Sequence, residues 1–262
     1  MKNASYYASL PLVLHVFDGG PAASGILDPA REVKLRVKHF SYAYRRTNDT
    51  QWVDRLWREL QVCLLLFTLN NFDLTIHQNA AGNGTSLWGD AADQWNTQHF
   101  LDTAELTAAF AIAYDWMYDI WSPQQREQIM WSLINNGLSR GLQALTADAT
   151  TYGWWKSVNG NWNCVSNGGM ILGSLAILGD DTSGIARPLL EAAVANAAVN
   201  CVNATTKDGS WTETANYWYC GFVFCSPPES LKLIWLSRND RTRRSNLRTH
   251  DGHRRRRLWH VK

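Results

Sequence analysis

Apolar residues recur every three or four positions through most of this chain and almost never every second one, which predicts helices rather than strands. Val33, Val37, Phe40 and Tyr44 trace one helix through Arg46, started by Asp28-Pro29 as N-cap and first helical residue. Asn48-Asp49-Thr50 caps a second, with Trp52, Leu56, Leu60 and Cys63 along one face. A loop rich in Asn and Gly follows, from Asn70 to about Asp90. Trp95 to Phe100 then leads into a third helix reaching Trp121, its core face built from Leu101, Leu106, Phe110, Ala113 and Met117. Ser122-Pro123-Gln124-Gln125 reads as a capping box for a fourth, running towards Leu138, where Gly137 and Gly141 weaken its end. A fifth covers about 165–178 and stops at Gly179-Asp180-Asp181. Thr182 or Ser183 caps a sixth, which extends to about Val202.

Residues up to about Gly25 show no firm period, and the last apolar stretch is Leu231 to Trp235. The pattern divides the chain into an undefined segment (1–27), a helical domain (28–236) and a tail (237–262). Helix–turn–helix units that each bury one face must stack side by side, as an arc or closed toroid. The absence of a fixed-period repeat disfavours a tetratricopeptide-like array.

Two polar clusters interrupt this pattern: Asn159-Gly-Asn-Trp-Asn163-Cys-Val-Ser-Asn167-Gly-Gly169 and Asp208-Gly-Ser-Trp-Thr-Glu213-Thr-Ala-Asn216-Tyr217-Trp218-Tyr219. Each combines amides, aromatic rings and glycines. That mixture suits a sugar, whose C–H face stacks on rings while its hydroxyls take hydrogen bonds. The same Gly-Gly and Asp-Gly pairs also mark turns. Trp154, Trp155, Trp162, Trp211 and Trp218 are candidates for a stacking wall, with packing expected to claim about half of them. His99 precedes a helix and serves as a ligand contact, a cap or a core residue. Asn167 lies four residues after Asn163, on the same helical face, as ligand contact or cap. Asp115 and Asp119 read as structural.

Charge is unevenly spread. From Arg238 to Lys262 there are ten basic residues against two acids, a net +8, which leaves −6 for the rest of a chain whose total is +2. No apolar run approaches the ~20 residues of a membrane helix. Five cysteines include no C-x-x-C pair and no neighbouring histidines, so no metal or other cofactor is expected. Their odd number prevents complete internal pairing. Sequons at Asn3, Asn48, Asn83 and Asn203 fit a secreted glycoprotein, although the N-terminus makes a poor signal peptide.

Six runs in order carry a family resemblance: Tyr42-Ala-Tyr-Arg-Arg, Trp57-Arg-Glu-Leu60, His99-Phe-Leu-Asp, Ala113-Tyr-Asp-Trp116, Asn161-Trp-Asn163 and Asp208-Gly-Ser-Trp-Thr-Glu213. Over about 28–221 the chain resembles the helical domain of the heparinase II/III-like polysaccharide lyases. The resemblance implies an incomplete (α/α) toroid of the chondroitin AC/alginate lyase kind, followed by an antiparallel β-sandwich. It also implies an acidic polysaccharide as partner, a glycosaminoglycan or alginate, with neither a specific nucleic acid nor a membrane. The β domain is missing from this sequence, so the expectation is a truncated form with weak or no activity. The Arg-rich tail resembles nothing in the family, and reads as a disordered basic tail or an alternative reading-frame end.

Such lyases break the glycosidic bond beside a uronate by β-elimination. A donor polarises the carboxylate, a base removes the neighbouring proton, and an acid protonates the leaving oxygen. The resemblance makes Asn163 the polarising donor and Tyr217 the proton-transferring phenol, with Glu213 an orienting residue. It puts Cys164 where many members have histidine, which leaves the base open. His99, Asn167, Glu213, Trp162, Trp211 and Trp218 are the expected substrate contacts. Two other functions compete. One is an (α/α) glycoside hydrolase using Glu213 with Asp90 or Asp93; the other is an inactive carbohydrate-binding fragment.

Overall fold

Alternating helices and turns are what the described residues form. The structure, a computed structural model, describes residues 2–15, 25–61, 95–147 and 152–213. Its helices are α1 (Lys2–Ser9), α2 (Leu27–Thr47), α3 (Gln51–Leu60), α4 (Phe100–Trp116), α5 (Pro123–Ser132), α6 (Ser139–Thr146), α7 (Asn161–Ile177) and α8 (Ala186–Asn200). Among the described residues the fold is all-α. The sole β pairing among them is an isolated bridge between Thr205 and Trp211. Cys63, the Asn70–Asp90 loop, Leu231–Trp235 and the basic tail lie outside the described residues.

The middle layer is α4, packed between α2 and α7, with α3 against α2 and α8 against α7. This position explains a departure from the expected one-faced helix. In α4, 14 of 17 residues are buried, including Asp102, Thr103, Glu105 and Thr107. Each polar group is satisfied across a helix contact or along the backbone. Thr103 donates to the Trp95 carbonyl at 2.7 Å, and Glu105 pairs with Lys34. α7 is similarly enclosed, with 15 of 17 residues buried. Its Gly169 lets the two backbones meet, because a Cβ there would lie 2.4 Å from the Ala104 carbonyl oxygen.

Several boundaries differ from the sequence expectation, each for a tertiary reason. The segment before Gly25 contains α1, and the chain just beyond it is pinned to α2 and α3. Buried Glu59 accepts from Val13 N at 3.1 Å and pairs with Arg36 and Arg55, whose remaining N–H groups reach the Pro11 and Leu10 carbonyls. α2 starts at Leu27, with Ile26 rather than Asp28 at the N-cap. The Ile26 N–H donates instead to Asp102 at 2.8 Å. α4 ends at Trp116, not Trp121, whose indole N–H closes the helix end by donating to the Ala113 carbonyl at 2.8 Å.

The Ser122 capping box forms as expected. The helix it starts does not stop near Leu138; it passes through a π-helical turn, Leu133–Leu138, into α6. Gly137 and Gly141 serve close packing, since Cβ atoms there would meet Thr107 at 2.4 Å and Met170 at 2.1 Å. α7 begins at Asn161, earlier than 165. α8 begins at Ala186, where Asp181 accepts from Ser183 N and Ala186 N, both at 2.8 Å, in place of a Thr182 or Ser183 cap.

Candidate functional site

The first polar cluster and the described part of the second (208–213) meet at the N-terminal end of α7. A carboxylate belongs there, because the first-turn N–H groups of a helix lack internal partners and carry a partial positive charge. Glu213 fills that place. Its Oε2 accepts from the Asn161 backbone N–H at 2.6 Å and from the Trp211 indole at 3.2 Å. Gly160 makes room, since a Cβ there would lie 2.9 Å from the Glu213 carboxyl carbon. The Asp208 segment is a tight turn. The Thr206 hydroxyl, then the Ser210 backbone N–H and hydroxyl, hold the Asp208 carboxyl down to about 2.

Asn163 and Asn167 do share one face of α7, and that face meets α8. The Asn163 side-chain N–H groups are directed at the Trp155 carbonyl (3.2 Å), the Lys156 carbonyl (3.3 Å) and Asn196 Oδ1 (2.8 Å). Asn167 donates to Asn163 Oδ1 at 2.8 Å and to Asn196 Oδ1 at 2.9 Å. Asn196 and Asn200 each donate to the Lys156 carbonyl at 2.9 Å. These four amides form a ladder that ties the turn Trp154–Ser157 to α7 and α8. Both Asn163 and Asn167 are fully buried. A disulfide joins the next residue, Cys164, to Cys201 just beyond α8.

A different set of side chains reaches the surface nearby. His99 stands just before α4, and its Nδ1 lies 2.6 Å from Asp102 Oδ1. Asp102 is completely buried, and its other oxygen accepts from Ile26 N (2.8 Å) and Asn96 Nδ2 (2.7 Å). Trp162 packs on Leu27, Leu101, Ala104 and Val165 and presents its ring to His99 at 4.7 Å and to Trp154 at 4.6 Å. Trp154 is 48% exposed. Asn161, one residue before Trp162, is buried, yet its side-chain oxygen Oδ1 has no hydrogen-bond partner among the described residues.

The structure therefore groups His99 with Trp162 and Trp154, and Glu213 with Trp211 and Asn161. It places Asn163 and Asn167 in an internal network and Trp155 in the core beside Phe100. Tyr217 and Trp218 lie outside the described residues, as do Asp90 and Asp93. Sequence reasoning missed Asp102 and Asn161 as site residues. The signals were present: Asp102 sits three residues after His99, and Asn161 opens the Asn-Trp-Asn motif. No described helix is long and apolar enough to cross a membrane, and no three His, Cys, Asp or Glu among the described residues converge to hold a metal ion. Compared with known proteins, the chain matches no family model and no curated protein.

Proposed function

We propose that this chain is the helical part of a heparinase II/III-like polysaccharide lyase, acting on a uronate-containing glycan by β-elimination. In this reading the helical hairpins belong to an incomplete (α/α) toroid whose cleft runs past the N-terminal end of α7. The observation that supports it most is the meeting, at that end, of partly exposed Trp154, Trp162 and His99 with the unpartnered side-chain oxygen of Asn161. Indole faces suit the C–H face of a sugar, and a buried acceptor oxygen without a partner favours a hydroxyl donor. Asn163 is the polarising donor that the resemblance implies, its N–H groups being held in place by the Trp155 and Lys156 carbonyls and by Asn196, with Tyr217 the acid. Export fits the disulfide and the exposed sequons at Asn3, Asn48 and Asn203.

The test is incubation of the full chain with alginate, chondroitin and heparin-type polymers. Product ends should carry the ultraviolet absorbance of a new C4–C5 double bond, and acidic oligosaccharides should quench tryptophan fluorescence where neutral ones do not. New reducing ends without that absorbance would make the protein a hydrolase. The absence of both cleavage and binding would overturn the reading.

A further inference from the structure

We infer that His99 is the proton-accepting group of this site and that Asp102 positions it; this rests on the lyase reading above, which leaves the base unassigned. Asp102 is the centre of a closed arrangement. Its Oδ2 accepts from two donors, the Ile26 backbone N–H at 2.8 Å and Asn96 Nδ2 at 2.7 Å. Its Oδ1 faces His99 Nδ1 at 2.6 Å. A carboxylate acceptor assigns the neutral imidazole's proton to Nδ1 and leaves the lone pair on Nε2. Among the described residues Nε2 has no hydrogen-bond partner, and a quarter of the side chain is exposed.

A purely structural role accounts for this less well. His99 occupies the N-cap position of α4, but its side chain makes no capping bond. The surrounding chain is shaped to the carboxylate instead. Asn96 takes a left-handed conformation with φ 51°, and Gly25, at φ 73°, has no space for a side chain. A Cβ there would lie 1.9 Å from Asn96 Nδ2 and 2.7 Å from Asp102 Oδ2. The imidazole packs edge-on against Trp162 at 4.7 Å, and Trp162 packs in turn on Trp154 at 4.6 Å, the rings offered above for sugar stacking.

In the elimination, Nε2 takes the proton from the carbon beside the uronate carboxylate. The C–H electron pair becomes the C4–C5 π bond, and the C4–O bond breaks. The leaving oxygen takes a proton from the general acid of the site, and the imidazolium returns its proton to that group through water. Removing a group of this kind costs about 10² to 10⁴ in rate.

The experiment compares the full wild-type chain with His99→Gln on uronate polymers, together with nitrogen-detected NMR of His99. We expect unsaturated product from the wild type, turnover lower by about 10² to 10⁴ in His99→Gln, and oligosaccharide affinity changed little. The wild-type spectrum should show the Nδ1–H tautomer, shifting towards Nε2–H in Asp102→Asn. No unsaturated product from the wild type would overturn the lyase reading. An active wild type with undiminished His99→Gln turnover would overturn the role of His99 alone. An Nε2–H tautomer in the wild type, which needs no variant to fold, would overturn the role of Asp102.

Discussion

Glu213 accepts a 2.6 Å hydrogen bond from the backbone N–H of Asn161, across a sequence separation of 52 residues. This contact turns a candidate catalytic carboxylate into the cap of α7, and it ties the second polar cluster to the first. Side-chain caps are worth about 0.5–2 kcal/mol. Glu213→Ala should therefore lower the urea midpoint by an amount in that range. Gly160→Ala should give a similar loss by displacing the carboxylate, and combining the two should add little. Fully additive losses would show that Gly160 and Glu213 act separately.

Gly169 sets the approach of the two central helices. An added methyl would meet the Ala104 carbonyl oxygen, which is backbone and cannot rotate away. Gly169→Ala should destabilise by about 1–3 kcal/mol or more, the usual cost of overpacking a core, although alanine favours helix over glycine. Gly179→Ala is the control. It has open space, and its melting temperature should hold or rise.

The Cys164–Cys201 disulfide closes a segment of 37 residues. Cross-links of this kind typically contribute about 2–4 kcal/mol, chiefly by restricting the unfolded chain. Reduction, or paired Cys164→Ala and Cys201→Ala substitution, should lower the urea midpoint accordingly while leaving helical circular dichroism intact. An unchanged midpoint would mean that the bond contributes nothing to stability.

Local chemistry was legible in the sequence, and long-range chemistry was not. The Ser122 capping box is complete within four residues, so its two bonds, at 3.0 and 3.2 Å, follow from spacing alone. The face of Trp52, Leu56 and Leu60 on α3 is equally local. The start of α2 was misplaced because its first N–H is satisfied by Asp102, 76 residues away. Gly137 and Gly141 looked like helix breakers because propensity says nothing about a neighbouring helix that needs the room. The four-residue spacing of Asn163 and Asn167 correctly put them on one face. What that face meets is decided by α8, whose Asn196 no spacing rule connects to them.

Asn161 and Asn163 are two residues apart on the same helix and should respond oppositely to alanine. The Asn163 amide donates to two carbonyls and Asn196, and accepts from Asn167. Asn163→Ala strands buried partners, at about 1–3 kcal/mol for an unsatisfied group, so the melting temperature should fall clearly. The Asn161 side-chain oxygen is buried but accepts no hydrogen bond among the described residues. Removing it sacrifices no internal bond, and Asn161→Ala should be neutral or slightly stabilising. If that oxygen accepts from a glycan hydroxyl, its loss should appear in affinity for uronate oligosaccharides instead. A neutral hydrogen bond is worth about 0.5–1.5 kcal/mol, which corresponds to a loss of about two- to tenfold. Thermal melts, oligosaccharide titrations and product absorbance on the two single variants separate the roles. A stable Asn163→Ala protein without turnover would give Asn163 the polarising role and not a structural one. A destabilised Asn161→Ala protein would make Asn161 part of the packing.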